Sequence, residues 1–194
     1  TKATFSVSVD GGEATKAAAD NDGKGTNVNR CIMEIYFQDQ LYKRMEAAMS
    51  GTPATATFAN VPVVAGKEYQ ILFWADCGGD ELADKYYSTK TDTNNKGLKA
   101  VTVNKTNFID ALKSKKNDEL DAFYFAGNYT VPQNPTQPFN VSLKRPFAQL
   151  NVITTDVAAG KTVINDDLLP EKVSVSYEAA NTINVATGEI SKVG

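Results

Sequence analysis

Residues 68–76, Glu-Tyr-Gln-Ile-Leu-Phe-Trp-Ala-Asp, constrain this chain more than any other stretch. Successive side chains of a β-strand point to opposite faces. Tyr69, Ile71, Phe73 and Ala75 therefore share one face, and Leu72 and Trp74 the other, with Gln70 and Asp76 near the ends. A strand that is apolar on both faces has to be covered on both. It belongs in the middle of a layered β structure. The strand-like segment Thr55 to Asn60 precedes it, across a turn marked by Pro62 and Gly66.

Alternation recurs elsewhere. In Thr4 to Asp10, Phe5, Val7 and Val9 share one face and Thr4, Ser6 and Ser8 the other, the pattern of a half-buried strand. Gly11-Gly12 ends it, and residues 13–29 are polar and aperiodic, an expected exposed linker. Cys31 to Phe37 reads as a strand with Cys31, Met33, Ile35 and Phe37 on one face. Gln38-Asp39-Gln40 reads as a turn. Leu41 to Met49 fits either a helix, through Leu41, Met45 and Met49, or a returning hairpin strand, and the surrounding strands favour the latter. Further strands are expected at 98–103, 121–126, 139–143, 147–154, 172–177 and 182–185, with a short helix starting near Asn107. The prolines of 131–138 make an irregular surface loop, and Lys144-Arg145-Pro146 a corner. About ten short strands with frequent turn signals give an all-β sandwich.

The chemistry expected of such a chain is limited. There is no histidine among the 194 residues, which removes the commonest general base and the usual zinc ligand. An enzyme is not expected, nor a cofactor or metal. Asp20 to Gly25 resembles the start of a calcium loop, but Lys24 and Cys31 stand where an EF-hand needs oxygen ligands. Asp80-Glu81 and Asp166-Asp167 are adjacent carboxylates, better explained by turns than by a cleft that needs carboxylates facing each other. A net charge of −3 gives no argument for nucleic acid. Residues 90–116 do hold seven lysines against two aspartates, a solvated loop or a contact patch for an acidic partner. Asn104, Asn128 and Asn140 begin glycosylation sequons. No apolar run approaches the roughly 18 residues of a membrane helix.

Cys31 and Cys77 leave two alternatives open. An antiparallel pairing that sets Cys31 opposite Cys77 and Phe37 opposite Ile71 permits a disulfide, worth roughly 4 kcal/mol on the chain-entropy model. Otherwise both are buried thiols. Tyr86 and Tyr87, in a polar loop, are candidate contacts for a sugar or another surface ligand, whereas Trp74 is expected in the core.

Taken in order, Tyr69 with Phe73-Trp-Ala-Asp76, then Tyr86-Tyr87, then Asp121-Ala-Phe123, then Leu143-Lys-Arg-Pro-Phe-Ala-Gln-Leu-Asn-Val152, resemble the fimbrillin-like surface lipoproteins of Bacteroidales. The resemblance spans most of residues 30–190. It implies transthyretin-like β-sandwich domains of Greek-key type with about seven strands each. It places an N-terminal domain at 1–144 and the incomplete start of a C-terminal domain at 145–194. It implies export as a lipoprotein precursor and display on the outer face of the outer membrane. A trypsin-like protease would then remove the strand carrying Phe5, Val7 and Val9. Lys16 stands where family members usually carry Arg, and is the candidate processing position. Another fimbrial subunit would fill the emptied groove with a donor strand. A host or bacterial surface receptor is the further implied partner. A surface carbohydrate- or host-ligand-binding lipoprotein that does not polymerise is the alternative.

Overall fold

The computed structural model describes residues 1–9, 25–90, 96–114, 117–147 and 180–191. Lys16, Asp166-Asp167 and the strands expected at 147–154 and 172–177 fall wholly or largely outside them. The chain divides into two compact units, Thr1–Pro146 with Ala180–Gly194, and Phe147–Ala179. The first is described here.

It is built from β1 (Lys2–Val9), β2 (Arg30–Phe37), β3 (Gln40–Ala48), β4 (Thr55–Pro62), β5 (Glu68–Asp76), β6 (Tyr87–Ser88), β7 (Val101–Val103), α1 (Lys105–Lys113), β8 (Ala122–Thr130), β9 (Phe139–Leu143), β10 (Thr182–Ile183) and β11 (Ile190–Ser191). The class is all-β and sandwich-like, as the alternating sequence requires. A three-stranded sheet runs β4-β1-β9, a four-stranded sheet β3-β2-β5-β8, and a third sheet of very short strands β11-β10-β7-β6.

The two-faced strand is central in its sheet. β5 pairs antiparallel with β2 on one side and β8 on the other. Its Tyr69, Ile71, Phe73 and Ala75 enter a first core, closed from the front by β1, β4 and β9. Leu72 and Trp74 enter a second core, closed from the back by Tyr86, Tyr87, Leu98, Val101, Ala111 and Ile183. Both faces are thus covered, by different means. Full-length strands cover the front, while short turns, α1 and two-residue strands cover the back.

Local chemistry explains the elements. Gln38 and Asp39, both at positive φ (50° and 63°), make the two-residue hairpin between β2 and β3. Two positive φ values match the twist of the strands they join. Residues 40–48 are therefore the returning strand rather than a helix. Residues 98–103 form a strand only over Val101–Val103, because Gly97–Ala100 coil into a 3-10 turn. Asn104 caps α1, its side chain accepting from the Asn107 amide, which satisfies one of the orphan donors at a helix start.

Candidate functional site

The first candidate is β1 itself. It lies in the middle of the front sheet, antiparallel to β4 and parallel to β9. Phe5 faces Phe58 on one side and Phe139 on the other. Phe5, Val7 and Val9 are buried, together with Ala3, while Thr4, Ser6 and Ser8 are half-buried on the outer side. The Phe5 ring is an aromatic hub, edge-on to Tyr129 at 5.2 Å and to Phe139 at 5.9 Å, and 6.2 Å from Phe73. Such ring pairs add to plain area burial. Along the chain, β1 joins the rest of the unit through residues 10–24. Take β1 away, and β4 and β9 flank a groove floored by Phe73 and Tyr129, with two rows of unpaired main-chain groups.

The back layer is held differently. Arg30, at the start of β2, is buried and grips the buried Asp76 at the end of β5 with two nitrogens, Nη2 donating at 2.9 Å. The same guanidinium donates to the Leu82 carbonyl at 2.8 Å and to Asp84 at 3.0 Å. Trp74 Nε1 donates to Asp76 at 2.9 Å. Burial lowers the Arg30 pKa, but the hydrogen bonds and charges of Asp76 and Asp84 outweigh it, so the guanidinium is held more firmly protonated than usual. Gly78 permits this passage, because a Cβ there would sit 2.7 Å from Arg30 Cδ.

From Asp84 the network continues to Thr89, which donates its hydroxyl (2.8 Å) and its amide (2.9 Å). Thr89 accepts from Arg44, and Arg44 pairs with the buried Glu34 at 2.7 Å. Glu34 also accepts from the Tyr36 hydroxyl (2.7 Å) and the Leu98 amide (3.0 Å). The loop between β5 and β7 is thereby bolted to the back of the four-stranded sheet. Sequence reasoning missed this network. The available signal was Glu34 inside an apolar strand, with Arg30 at its start and Asp76 ending another.

Tyr86 and Tyr87 lie inside this layer rather than on an exposed loop. Tyr87 donates to the Leu120 carbonyl at 2.6 Å and packs edge-on against Trp74 at 5.2 Å. Tyr86 donates to Glu119, which also pairs with Lys85 at 2.8 Å. Neither ring face is displayed for a ligand, because their apolar area covers the back of β5.

Cys31 and Cys77 are free and buried. Their strands are neighbours, but the register sets Cys31 opposite Ala75 and Ile35 opposite Ile71, two residues from the alignment a bridge needs. Cys31 belongs to the first core and Cys77 to the second, on opposite sides of the sheet. Burial pushes both thiols above their ordinary pKa. In the lysine-rich stretch, Lys99 stands 4.1 Å from the centroid of the Tyr36 ring, while Lys96, Lys105 and Lys113 are exposed. Asp80 and Glu81 form an exposed 3-10 turn.

The other motif residues also meet one another. Arg145 pairs with Asp121 at 3.0 Å, and its guanidinium stands 5.0 Å from the centre of the Phe123 ring. Asp121 in turn accepts from the Gly25 amide at 3.1 Å. Trp74, Asp76 and Tyr87 converge at the back, Asp121, Phe123 and Arg145 at the start of β8. Their roles are architectural.

A family described as one of unknown function, DUF6562, matches residues 1–193. The chain belongs to this family. No curated protein matches it. Among solved structures, a fimbrial assembly protein from Parabacteroides distasonis ATCC 8503 aligns with a TM-score of 0.39 and 10% identity, over 75% of this chain and 51% of that one. The chain thus spans about half the length of that protein. A likeness of this size bears on neither activity nor partners, and the DUF6562 description carries none, so function has to be argued from the strands.

Proposed function

We propose that this DUF6562 protein is a structural or adhesive subunit of a cell-surface fimbria, assembling by exchange of β1 for a strand of another subunit. One observation carries this reading: β1 is the central strand of the front sheet, and the segment 10–24 links it along the chain to the rest of the unit. A cut there by a trypsin-like protease, with Lys16 the proposed position, leaves β1 held by ladder bonds and its buried side chains alone. Strand addition supplies main-chain hydrogen bonds for affinity and alternate-side-chain pockets for specificity. The pockets of Phe5, Val7 and Val9 suit any donor with apolar residues at every second position. Export as a lipoprotein precursor and display at the outer membrane belong to the same reading, as does a host or bacterial receptor as a further partner. The motif resemblance agrees with it.

The test uses the whole chain with a specific protease site placed within 10–24. After cleavage, a labelled peptide of residues 2–9 in excess should enter the protein and displace β1, and a Phe5→Asp, Val7→Asp peptide should not. Retention of the original strand through prolonged incubation with the wild-type peptide, or equal uptake of both peptides, contradicts strand exchange.

A further inference from the structure

The two sheets that enclose the first core approach each other at β3–β4 and at β8–β9, and the second of these seams is the open one. There β8 and β9 form an isolated antiparallel bridge: Tyr124 N donates to Lys144 O at 2.8 Å, and Lys144 N to Tyr124 O at 3.0 Å. In an antiparallel ladder the next pair of this kind lies two residues away on each strand, which here is Ala126 and Ser142. That pair does not form, because β9 follows β1 in parallel register over Phe139 to Leu143. The seam parts into a cleft of about 440 Å³, lined by Tyr124, Ala126, Ser142 and Lys144 and walled by the turn 185–188. Gly188 shapes that wall. It is at φ +74°, and a Cβ there would approach the Tyr124 hydroxyl to 3.3 Å.

The polar groups facing this cleft are unspent. Among the described residues, Lys144 makes no ion pair, and its ammonium stands 5.3 Å from the centroid of the Tyr124 ring. The hydroxyls of Tyr124 and Ser142 have no hydrogen-bond partner there as donors, and Ala126 and Ser142 lie on β8 and β9, edge strands of their sheets that continue no ladder with each other beyond the bridge. Among the described residues no carboxylate lines the cleft. Ala126, Val185 and Ala186 add a small apolar wall.

We propose that this cleft binds a small carboxylate-bearing sugar of the uronic acid class. The volume falls in the range of small-molecule pockets, which combine apolar walls with a few converging polar groups. One uncompensated ammonium selects an anion. It is a point charge, without the guanidinium fork or helix N-terminus that favours phosphate. Two hydroxyls and strand-edge amides and carbonyls match a ligand that both donates and accepts around its ring. None of the lining residues belongs to β1, but Ser142 pairs with Ser8 in the β1–β9 ladder, so the site is tested in the intact protein, with β1 in place.

The test is titration of the intact protein with glucuronate, glucose and a short acidic peptide, followed by calorimetry or NMR shifts. Glucuronate should saturate, with shifts centred on 124–126, 142–144 and 185–188, and glucose should bind at least about tenfold more weakly, the loss of one charge-assisted contact. Lys144→Gln should weaken glucuronate by about tenfold for the same reason, and added salt should weaken it too. Ser142→Phe, at an exposed position of β9, should fill the cleft and abolish binding while leaving thermal unfolding near wild type. Lys99→Gln, outside the cleft, should change nothing. Absence of saturable glucuronate binding overturns the proposal, as does equal affinity for glucose, preference for the peptide, or wild-type affinity in both Lys144→Gln and Ser142→Phe.

Discussion

The front and the back of β5 are closed by opposite strategies. In front, three strands lay an apolar surface over Tyr69, Ile71, Phe73 and Ala75, and among the described residues the buried charges Arg30, Glu34 and Asp76 stand at the strand positions shared with Ile32, Leu72 and Trp74, on the other face. Behind, short segments cover Leu72 and Trp74, and they are tied down by Arg30, Asp76, Glu34, Arg44, Asp84 and Thr89. Ladders of hydrogen bonds hold long strands in place, so the front needs only apolar complementarity. Two-residue strands and turns make few ladder bonds, so the back needs side-chain bolts. A layer held by ladders and apolar contacts can accept a substitute strand with the same alternation. A layer held by specific charge pairs cannot. On the proposed strand exchange, the replaceable element lies in front and the fixed frame behind.

Breaking a bolt should do the most damage. Asp76→Ala strands the buried Arg30 charge and is expected to cost roughly 3–5 kcal/mol in urea unfolding. Replacing both partners, Arg30→Met with Asp76→Leu, should recover a large part of that loss, because a well-packed apolar pair spares the desolvation. Next comes Phe5→Ala in front. The cavity should cost about 3 kcal/mol, the lower part of the usual range for such truncations, and the loss should register as faster hydrogen exchange in β1, β4 and β9 before β5.

Thr89→Val keeps the shape of the back layer but removes a hydroxyl that serves both Asp84 and Arg44. A loss of about 1–2 kcal/mol is expected, with exchange rising in the loop between β5 and β7 and unchanged in β1. The smallest effect at neutral pH comes from the buried phenols of the back layer. Burial first, then the Glu34 hydrogen bond for Tyr36 and the charges of Asp76 and Asp121 for Tyr87, keep both protonated to higher pH than usual. The unfolded chain ionises its tyrosines near pH ~10. The stability these phenols confer is therefore complete below that pH and is lost as pH rises beyond it toward their folded values. A urea series above pH ~10 should show this decline, and Tyr87→Phe should flatten part of it.

The sequence made the front legible and the back obscure. Period-2 alternation placed Phe5, Val7 and Val9 on one face, and split β5 into its two apolar sides, because long strands bury side chains by geometry alone. β3 was legible from its hairpin context. The back was not, because residues 77–100 carry no periodicity and its fixing contacts join positions far apart. Arg30 meets Asp84, and Glu34 meets the Leu98 amide. For the same reason Tyr86 and Tyr87 read as loop residues although they are core. The disulfide alternative turned on register: a shift of two residues, set by packing along β2 and β5, separates Cys31 from Cys77. The cleft at the β8–β9 seam left no trace in the sequence, since it arises where a ladder stops.

Hydrogen exchange followed by mass spectrometry, before and after cleavage within residues 10–24 and removal of β1 by gel filtration, tests the division between replaceable front and fixed frame most directly. The expected result is loss of protection in β4 and β9 alone, with β2, β5 and β8 unchanged and protection in front restored by added 2–9 peptide. Simultaneous loss of protection in all of these strands would contradict it, because β1 would then be part of the frame rather than its exchangeable element.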